Sequence, residues 1–343
     1  MLTIKQIAVL ADVSTATVSH VLNKSANVSP KLQQRVMKVV RELNYHPNHL
    51  ARSLRTRRSR TIGMLLPSIT NPFFPTIVRG VEDVLRRAGY NLIVGNSDYD
   101  EQREEEYYHT FCEKRVDGLV LMITPTTTPE YLRRHNGESA PLVYLDRLYH
   151  DAPGDAVLAD NVQGSYKAVR HLIENDHRAI GIITGPSQMF MSRRRLRGYK
   201  RALQEGGIAV DKRLVRVGDW SQDSGYRNCR TLLEHANPPT ALFVSNGLMA
   251  LGCLRAISEL GVRCPEDVAL VSFDDLEMFE LMKPAITAVD NPGYRLGSRA
   301  AEMLVQRLSN ELAGPPLSEI LPVELKVRAS SARVVPTSTG PEP

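Results

Sequence analysis

Val13-Ser-Thr-Ala-Thr-Val-Ser-His-Val-Leu-Asn23 decides how the N-terminal part of this 343-residue chain is read. Ser14 is an N-cap residue type, and Val18, Val21 and Leu22 follow at helical spacing, which leaves Thr15, Ala16, Ser19 and His20 together on the opposite face. Upstream, Thr3 and Gln6 form a capping-box pattern, and Ile4, Ile7, Ala8 and Ala11 predict a first helix ending at about Asp12-Val13. Downstream, Asn23 to Asn27 reads as a loop. Ser29-Pro30 is then a cap and first-turn proline for a third helix, faced by Leu32, Val36, Val39, Val40 and Leu43 and stopped by Pro47. Two helices joined by a short turn suit a helix-turn-helix, whose second helix enters the major groove of DNA. The same periodicity suits a plain three-helix bundle.

Charge weighs on that choice. Residues 1–60 carry eleven Lys/Arg against Asp12 and Glu42, a net +9, whereas the whole chain is only +5 and the rest therefore −4. A basic head on a mildly acidic body is suited to a polyanion, because Lys and Arg that neutralise phosphates release condensed counterions. From Asn48 the chain runs Asn-His-Leu-Ala-Arg-Ser-Leu-Arg-Thr-Arg-Arg-Ser-Arg60, two turns of helix at most, which is too short to persist alone in water. Leu50 and Leu54 fall on one face among arginines, so the segment is either a basic linker or a helix formed on DNA, with an exposed leucine as a minor-groove wedge.

Beyond Thr61 the pattern changes. Apolar runs at Ile62–Leu66, Leu92–Val94, Leu119–Ile123, Leu142–Leu145, Ile180–Ile183, Ala241–Val244 and Val268–Val271 alternate with amphipathic stretches such as Ile77–Ala88, Val162–Ile173 and Met249–Leu260. Such alternation predicts an α/β fold of doubly wound parallel sheets covered by helices, here in two lobes with a ligand crevice at the carboxyl ends of their strands. The expected domains are a helix-turn-helix head at 1–46, a hinge at 47–60, a two-lobed body at 61–335 and a disordered Pro/Ser/Thr/Gly-rich tail at 336–343.

Several classes are excluded at this level. Cys112, Cys229, Cys253 and Cys264 show no C-x-x-C spacing and no histidine pattern, so neither zinc nor a disulfide framework is expected. There is no export-signal pattern and no run of about eighteen apolar residues, which points to a reduced cytoplasmic compartment and argues against a secreted solute-binding protein. Phosphate-cradle and nucleophile-elbow motifs are missing, and the Asp274-Asp275 pair has no partner base or metal pattern. The chain is therefore expected to be neither an enzyme nor dependent on a cofactor or metal.

The blocks Thr3-Ile-Lys-Gln-Ile-Ala, Val13-Ser-Thr-Ala-Thr-Val-Ser-His-Val-Leu-Asn, Ala51-Arg-Ser-Leu, Asn71-Pro-Phe-Phe, Val116-Asp-Gly-Leu, Arg195-Leu-Arg-Gly-Tyr, Met249-Ala-Leu-Gly and Ser272-Phe-Asp-Asp, in this order over nearly the whole chain, resemble the lactose/galactose repressor family. The likeness is greatest to its purine and ribose repressor branch. The resemblance implies an allosteric repressor, homodimeric on a near-palindromic operator and controlled by a small sugar or sugar derivative. A purine co-repressor is the alternative. It places Thr15, Ala16 and His20 on base edges in the major groove, with Ser19 and Asn23 beside them; Ala16 offers only apolar contact, as to a thymine methyl. Leu54 falls on the minor-groove wedge, flanked by Arg52 and Arg55.

For the body the resemblance implies a periplasmic-sugar-binding type of fold. Its ligand positions fall on Asn71, Phe73 and Phe74 after the first strand and on Asp146 and Arg147 after the fourth. The second lobe supplies Arg195, Trp220, Asn246 and Asp274, and Asn291 stands where glutamine is common. Carboxylate, guanidinium and amide groups satisfy sugar hydroxyls in pairs, and aromatic rings take the apolar face of a sugar. Trp220 is the one tryptophan of the chain. Gly247 replaces a usual aspartate and Asp176 a glycine, which leaves the ligand's identity open. The cluster Arg193, Arg194, Arg195 and Arg197 would also suit a sugar acid or sugar phosphate.

Overall fold

The computed structural model describes residues 3–23, 28–45, 58–123, 140–146 and 154–332. It divides into two compact units, Met1–Ser59 and Arg60–Pro343. The first holds α1 (Ile4–Leu10), α2 (Thr15–Asn23) and α3 (Pro30–Glu42). Thr3 Oγ1 accepts from the Gln6 N–H while Gln6 Oε1 accepts from the Thr3 N–H at 2.8 Å, so the capping box forms. Ser14 Oγ accepts from the Thr17 N–H at 3.0 Å and starts α2. Ile7, Val18 and Val36 are fully buried and share one core with Ala8, Ala11, Val21, Val40 and Tyr45. Contrary to the sequence expectation, α3 stops short of Pro47: Leu43 caps it and Asn44 turns left-handed, φ 45°, so backbone conformation ends the helix before proline sterics apply.

The second unit contains two six-stranded sheets. In the first, β1 (Thr61–Leu66), β2 (Asn91–Asn96), β3 (Gly118–Leu121), β4 (Leu142–Leu145), β5 (Asp155–Ala159) and β11 (Ser318–Leu321) lie in the order β11-β5-β4-β3-β1-β2, all parallel. In the second, β6 (Ile180–Thr184), β7 (Val215–Val217), β8 (Ala241–Val244), β9 (Ala269–Phe273), β10 (Thr287–Asp290) and β12 (Glu324–Lys326) lie in the order β12-β10-β9-β8-β6-β7. Five of the six residues of β1 are buried, as a strand covered on both faces requires. Helices α4 (Phe73–Arg87), α5 (Glu101–Glu113) and α11 (Gly293–Leu308) pack on the first sheet. Helices α6 (Asn161–Glu174), α7 (Phe190–Glu205), α8 (Gln222–Leu233) and α9 (Gly247–Glu259) pack on the second, and a short α10 (Met278–Leu281) follows β9.

The second sheet departs from the expected all-parallel form, because β12 runs antiparallel to β10. The connection explains it. β11 leaves the first sheet at its carboxyl end, and Pro322-Val323 carries the chain straight into the second sheet from the side where that sheet's strands also end, so β12 must run the other way. The chain crosses between lobes three times in all: from β5 to α6, from β10 to α11 and from β11 to β12. In each sheet the order reverses beside the first strand, at β1 and at β6, and crevices form at such switch points.

Candidate functional site

The head presents a surface and the body a cleft. On α2, Thr15, Ala16 and His20 are exposed and Ser19 is half-buried, opposite the fully buried Val18; Asn23 is the last residue of the helix. Arg35 on α3 clamps the turn between α1 and α2, donating to the carbonyls of Ala11 at 2.7 Å and Asp12 at 3.0 Å and to the Asp12 carboxylate at 2.9 Å. Sequence reading missed this role, because a lone arginine on a basic surface carries no local signal. Arg52, Leu54, Arg55 and Arg147 lie outside the described residues, as does the tail 336–343.

In the body, most of the expected residues occupy the carboxyl ends of strands. Asp146 follows β4, Asn246 follows β8, Asp274 follows β9 and Asn291 follows β10. All four are buried, with Arg195 from the second turn of α7. The Arg195 guanidinium carbon stands over the Phe273 ring, 3.7 Å from its centroid, and 5.8 Å from that of Trp220. Its Nε donates to Asn161 Oδ1 at 2.7 Å and one terminal nitrogen donates to the Ser245 carbonyl; the other stands 3.8 Å from Asp274, an ion pair rather than a hydrogen bond. Asn291 Nδ2 donates to Asp274 Oδ1 at 3.0 Å, and Asp146 Oδ1 accepts from the Ala159 N–H at 3.3 Å. Asn246 caps α9 by accepting from the Met249 N–H at 2.9 Å and donates to the Trp220 carbonyl at 3.2 Å.

Burial pushes the carboxyls of Asp146 and Asp274 up from the usual range, and Arg195 opposes the rise in both; burial likewise lowers Arg195. Among the described residues the cleft thus holds two carboxylates around one guanidinium. Among the described residues the remaining arginines of the sequence cluster do not converge there, so that cluster lends no support to an acidic ligand. Arg193 donates to the Ser187 and Gln188 carbonyls, Arg194 lies over the Phe190 ring and Arg197 is exposed. A helix turns successive residues through about 100°, so only one of three neighbours faces inward.

The backbone helps to aim these groups. Asp146, Trp220 and Asp274 sit just beyond strand ends with φ of 55°, 73° and 69°, and Tyr99, three residues beyond β2, has φ 60°. Left-handed non-glycine residues are uncommon and gather at functional sites. Trp220 lies against Gly185, where a Cβ would stand 2.1 Å from the indole. Its Nε1 and Asn291 Oδ1 are buried without a hydrogen-bond partner among the described residues. Tyr99, with Met122, Asp146, Met189, Phe190 and Met191, lines the space between the lobes.

The other first-lobe expectations fall at the start of α4. Phe73 and Phe74 are buried edge to face with centroids 5.5 Å apart, and Asn71 Oδ1 accepts from the Phe73 N–H at 3.1 Å, a local turn contact. Among the described residues no hydrogen bond joins Asn71 to the Arg195 cluster. Asp275 faces away from Asp274: it pairs with Arg328 at 2.7 Å and Lys326 at 3.2 Å, so the two carboxylates form no acid/base pair. Tyr99 and Asn161 were missed from the sequence. Each stands just past the carboxyl end of a strand, β2 and β5, and that position was the available signal. No group of three His, Cys, Asp or Glu suited to a metal, and no helix long and apolar enough to cross a membrane, occurs among the described residues.

Comparison with known proteins agrees with this geometry. Residues 3–48 match the model of the bacterial regulatory proteins of the lacI family, and residues 169–331 that of the periplasmic binding protein-like domain. The chain is 36% identical over 311 residues to the HTH-type transcriptional repressor PurR of Aliivibrio salmonicida, covering 91% of this chain and 93% of that one. It is 36% identical over 325 residues to the ribose operon repressor of Escherichia coli, covering 94% and 98%. Among solved structures, the lac repressor dimer bound to operator and the anti-inducer ONPF aligns at TM-score 0.86 and 28% identity, covering 96% and 99%. A LacI family regulator from Enterococcus faecium with bound ribose aligns at TM-score 0.73 and 30% identity, covering 80% and 100%.

Proposed function

The chain belongs to the lacI family of bacterial regulatory proteins, and from that premise we propose that it is a sequence-specific repressor whose hold on its operator is set by a small, uncharged sugar in the cleft. The observation that carries the effector reading is the burial of Arg195, Asp274, Asn246 and Asn291 beside Trp220, with Asp146 of the first lobe within electrostatic reach of Arg195 and Asp274. A sugar hydroxyl both donates and accepts, so carboxylates flanked by a guanidinium and amides satisfy it in pairs. Among the described residues, two carboxylates against one guanidinium disfavour an anion. The unpartnered Trp220 Nε1 and Asn291 Oδ1 offer one further donor and one further acceptor to a ligand.

Operator recognition rests on Thr15, Ala16, Ser19, His20 and Asn23 of α2 in the major groove, with Arg52, Leu54 and Arg55 on the hinge. The protein acts as a homodimer in the cytoplasm without a catalytic step. Exposed apolar side chains, Ile69 and Val94 on the first lobe and Met278 and Leu281 on the second, supply surface for a second copy. Sugar binding changes the relation of the lobes, and effector and operator affinities are then coupled reciprocally by about 1–3 kcal/mol. We assign induction: sugar releases the operator.

A thermal-shift and Trp220-fluorescence panel of pentoses, hexoses, sugar acids, sugar phosphates and purines tests this, with operator retention followed by gel shift. A neutral sugar should raise the melting temperature, perturb the tryptophan and release DNA. A response confined to purines, with tighter operator binding, would replace the sugar reading by co-repression.

A further inference from the structure

Asn161 stands where the chain first crosses from one lobe to the other, as the opening residue of α6 two positions after β5 ends, and it is completely buried. Its Oδ1 accepts from Arg195 Nε at 2.7 Å and its Nδ2 donates to the Ala159 carbonyl at 3.1 Å. The orientation of that amide is settled by its partners. Arg195 can only donate, so it must face the oxygen; the Ala159 carbonyl can only accept, so it must face the nitrogen.

What this does to Arg195 follows from the geometry of the guanidinium. Five N–H groups project in a fixed plane; Asn161 takes the one on Nε, the Ser245 carbonyl takes one on a terminal nitrogen, and Phe273 supports one face. The rest of the fork is turned toward Asp274 and the cleft. Gly198, one turn further along α7, lets that helix approach the start of α6 so closely that a Cβ would lie 2.2 Å from the Val162 carbonyl, and this contact brings Arg195 within reach of Asn161.

We propose that Asn161 is a positioning residue of the cleft: by holding Arg195 Nε from one side and the Ala159 carbonyl at the end of β5 from the other, it presents the free guanidinium edge to the effector and ties that edge to the first lobe. The proposal rests on the reading of the cleft as an effector site for its binding consequence, but its structural half does not need a ligand. Because Asn161 sits on a crossover, rotation of the lobes changes the distance between its two sets of partners. One amide therefore couples effector contact to lobe angle.

The test uses the full-length protein in two ways. The Nε–H of Arg195, identified by its loss in Arg195→Lys, should exchange slowly with solvent in NMR spectra of the wild type, lose that protection in Asn161→Ala, and keep it in Asn161→Asp, which retains an acceptor. Calorimetric titration with D-ribose should show Asn161→Ala weakened on the order of 10- to 100-fold, as for loss of a hydrogen bond to a charged group. Full protection of the Arg195 Nε–H in Asn161→Ala overturns the proposal, as does its loss in a folded Asn161→Asp. A wild type that ignores D-ribose, while Asn161→Ala still strips the protection, counts against the sugar reading and supports the positioning role.

Discussion

Asp146 is ionisable, fully enclosed and bonded to the backbone through Oδ1, and its carboxyl is raised by burial. The unfolded chain ionises it near the ordinary carboxyl value of about 3.9. The folded protein therefore binds more protons between that value and the raised one, and stability falls as pH climbs through the window. Above the window the buried charge is a standing cost. Asp146→Asn keeps the oxygen that accepts from Ala159 and removes the charge, so it should raise the melting temperature at pH 7 by about 2–4 °C and flatten the pH dependence. Scanning calorimetry from pH 4 to 8 checks this. The same variant should bind effector at least tenfold more weakly; unchanged stability together with unchanged binding would remove Asp146 from the site. Asp274 has the same burial, but its ion pair with Arg195 makes it a less clean probe, because its removal leaves a buried guanidinium less compensated.

At the scale of elements, the site depends on strand ends that deliver side chains at close quarters. The turn after β6 must be glycine at 185, because the Trp220 ring after β7 lies directly on its backbone. Gly185→Ala should displace the indole, shift its emission and cost about 1–3 kcal/mol through overpacking, with the second sheet still folded. Fluorescence and denaturant titration would show it, and a wild-type spectrum would mean that the turn relaxes elsewhere. In the head, the buried face of α2 pins the exposed one: Val18 has no exposure, so Thr15, Ala16 and His20 cannot rotate inward. For the hinge the expectation comes from sequence alone. Leu54→Ala should weaken specific operator binding and reduce DNA bending while leaving sugar binding intact, and gel-shift phasing assays distinguish this from simple loss of charge.

At the scale of the molecule, two sheets, parallel except for β12, are joined by three crossovers, and Asn161 and Asn291 stand at two of these. On the proposed reading, any relative movement of the lobes is concentrated beside these two residues. Leu281 on α10 is an apolar side chain 83% exposed, with no covering element among the described residues. Leu281→Glu should weaken self-association at least tenfold in sedimentation equilibrium and reduce operator affinity through it, with sugar affinity unchanged. A dimer of undiminished strength would locate the interface elsewhere.

How much of this was legible before the structure depends on range. Cap residues and the 3.6-residue period predicted α1, α2 and α3, because those signals act within a few positions. Seven apolar runs marked β1, β2, β3, β4, β6, β8 and β9. The remaining strands escaped notice because they are short, polar-edged or at sheet margins, as in Asp155-Ala-Val-Leu-Ala159, Val215-Arg-Val217 and Glu324-Leu-Lys326. Ordered motifs and the family resemblance named Asp146, Arg195, Asn246 and Asp274, and all four are buried in the structure. Only the tertiary structure decided that Arg193 and Arg197 stay apart from Arg195, that Asp275 serves Arg328 instead of Asp274, that Tyr99 lines the space beside Asp146 and that Asn161 holds Arg195. The physical reason is that sequence patterns report which face of a strand or helix is apolar, whereas contact between residues dozens of positions apart follows from strand order and from the points where the chain changes lobes.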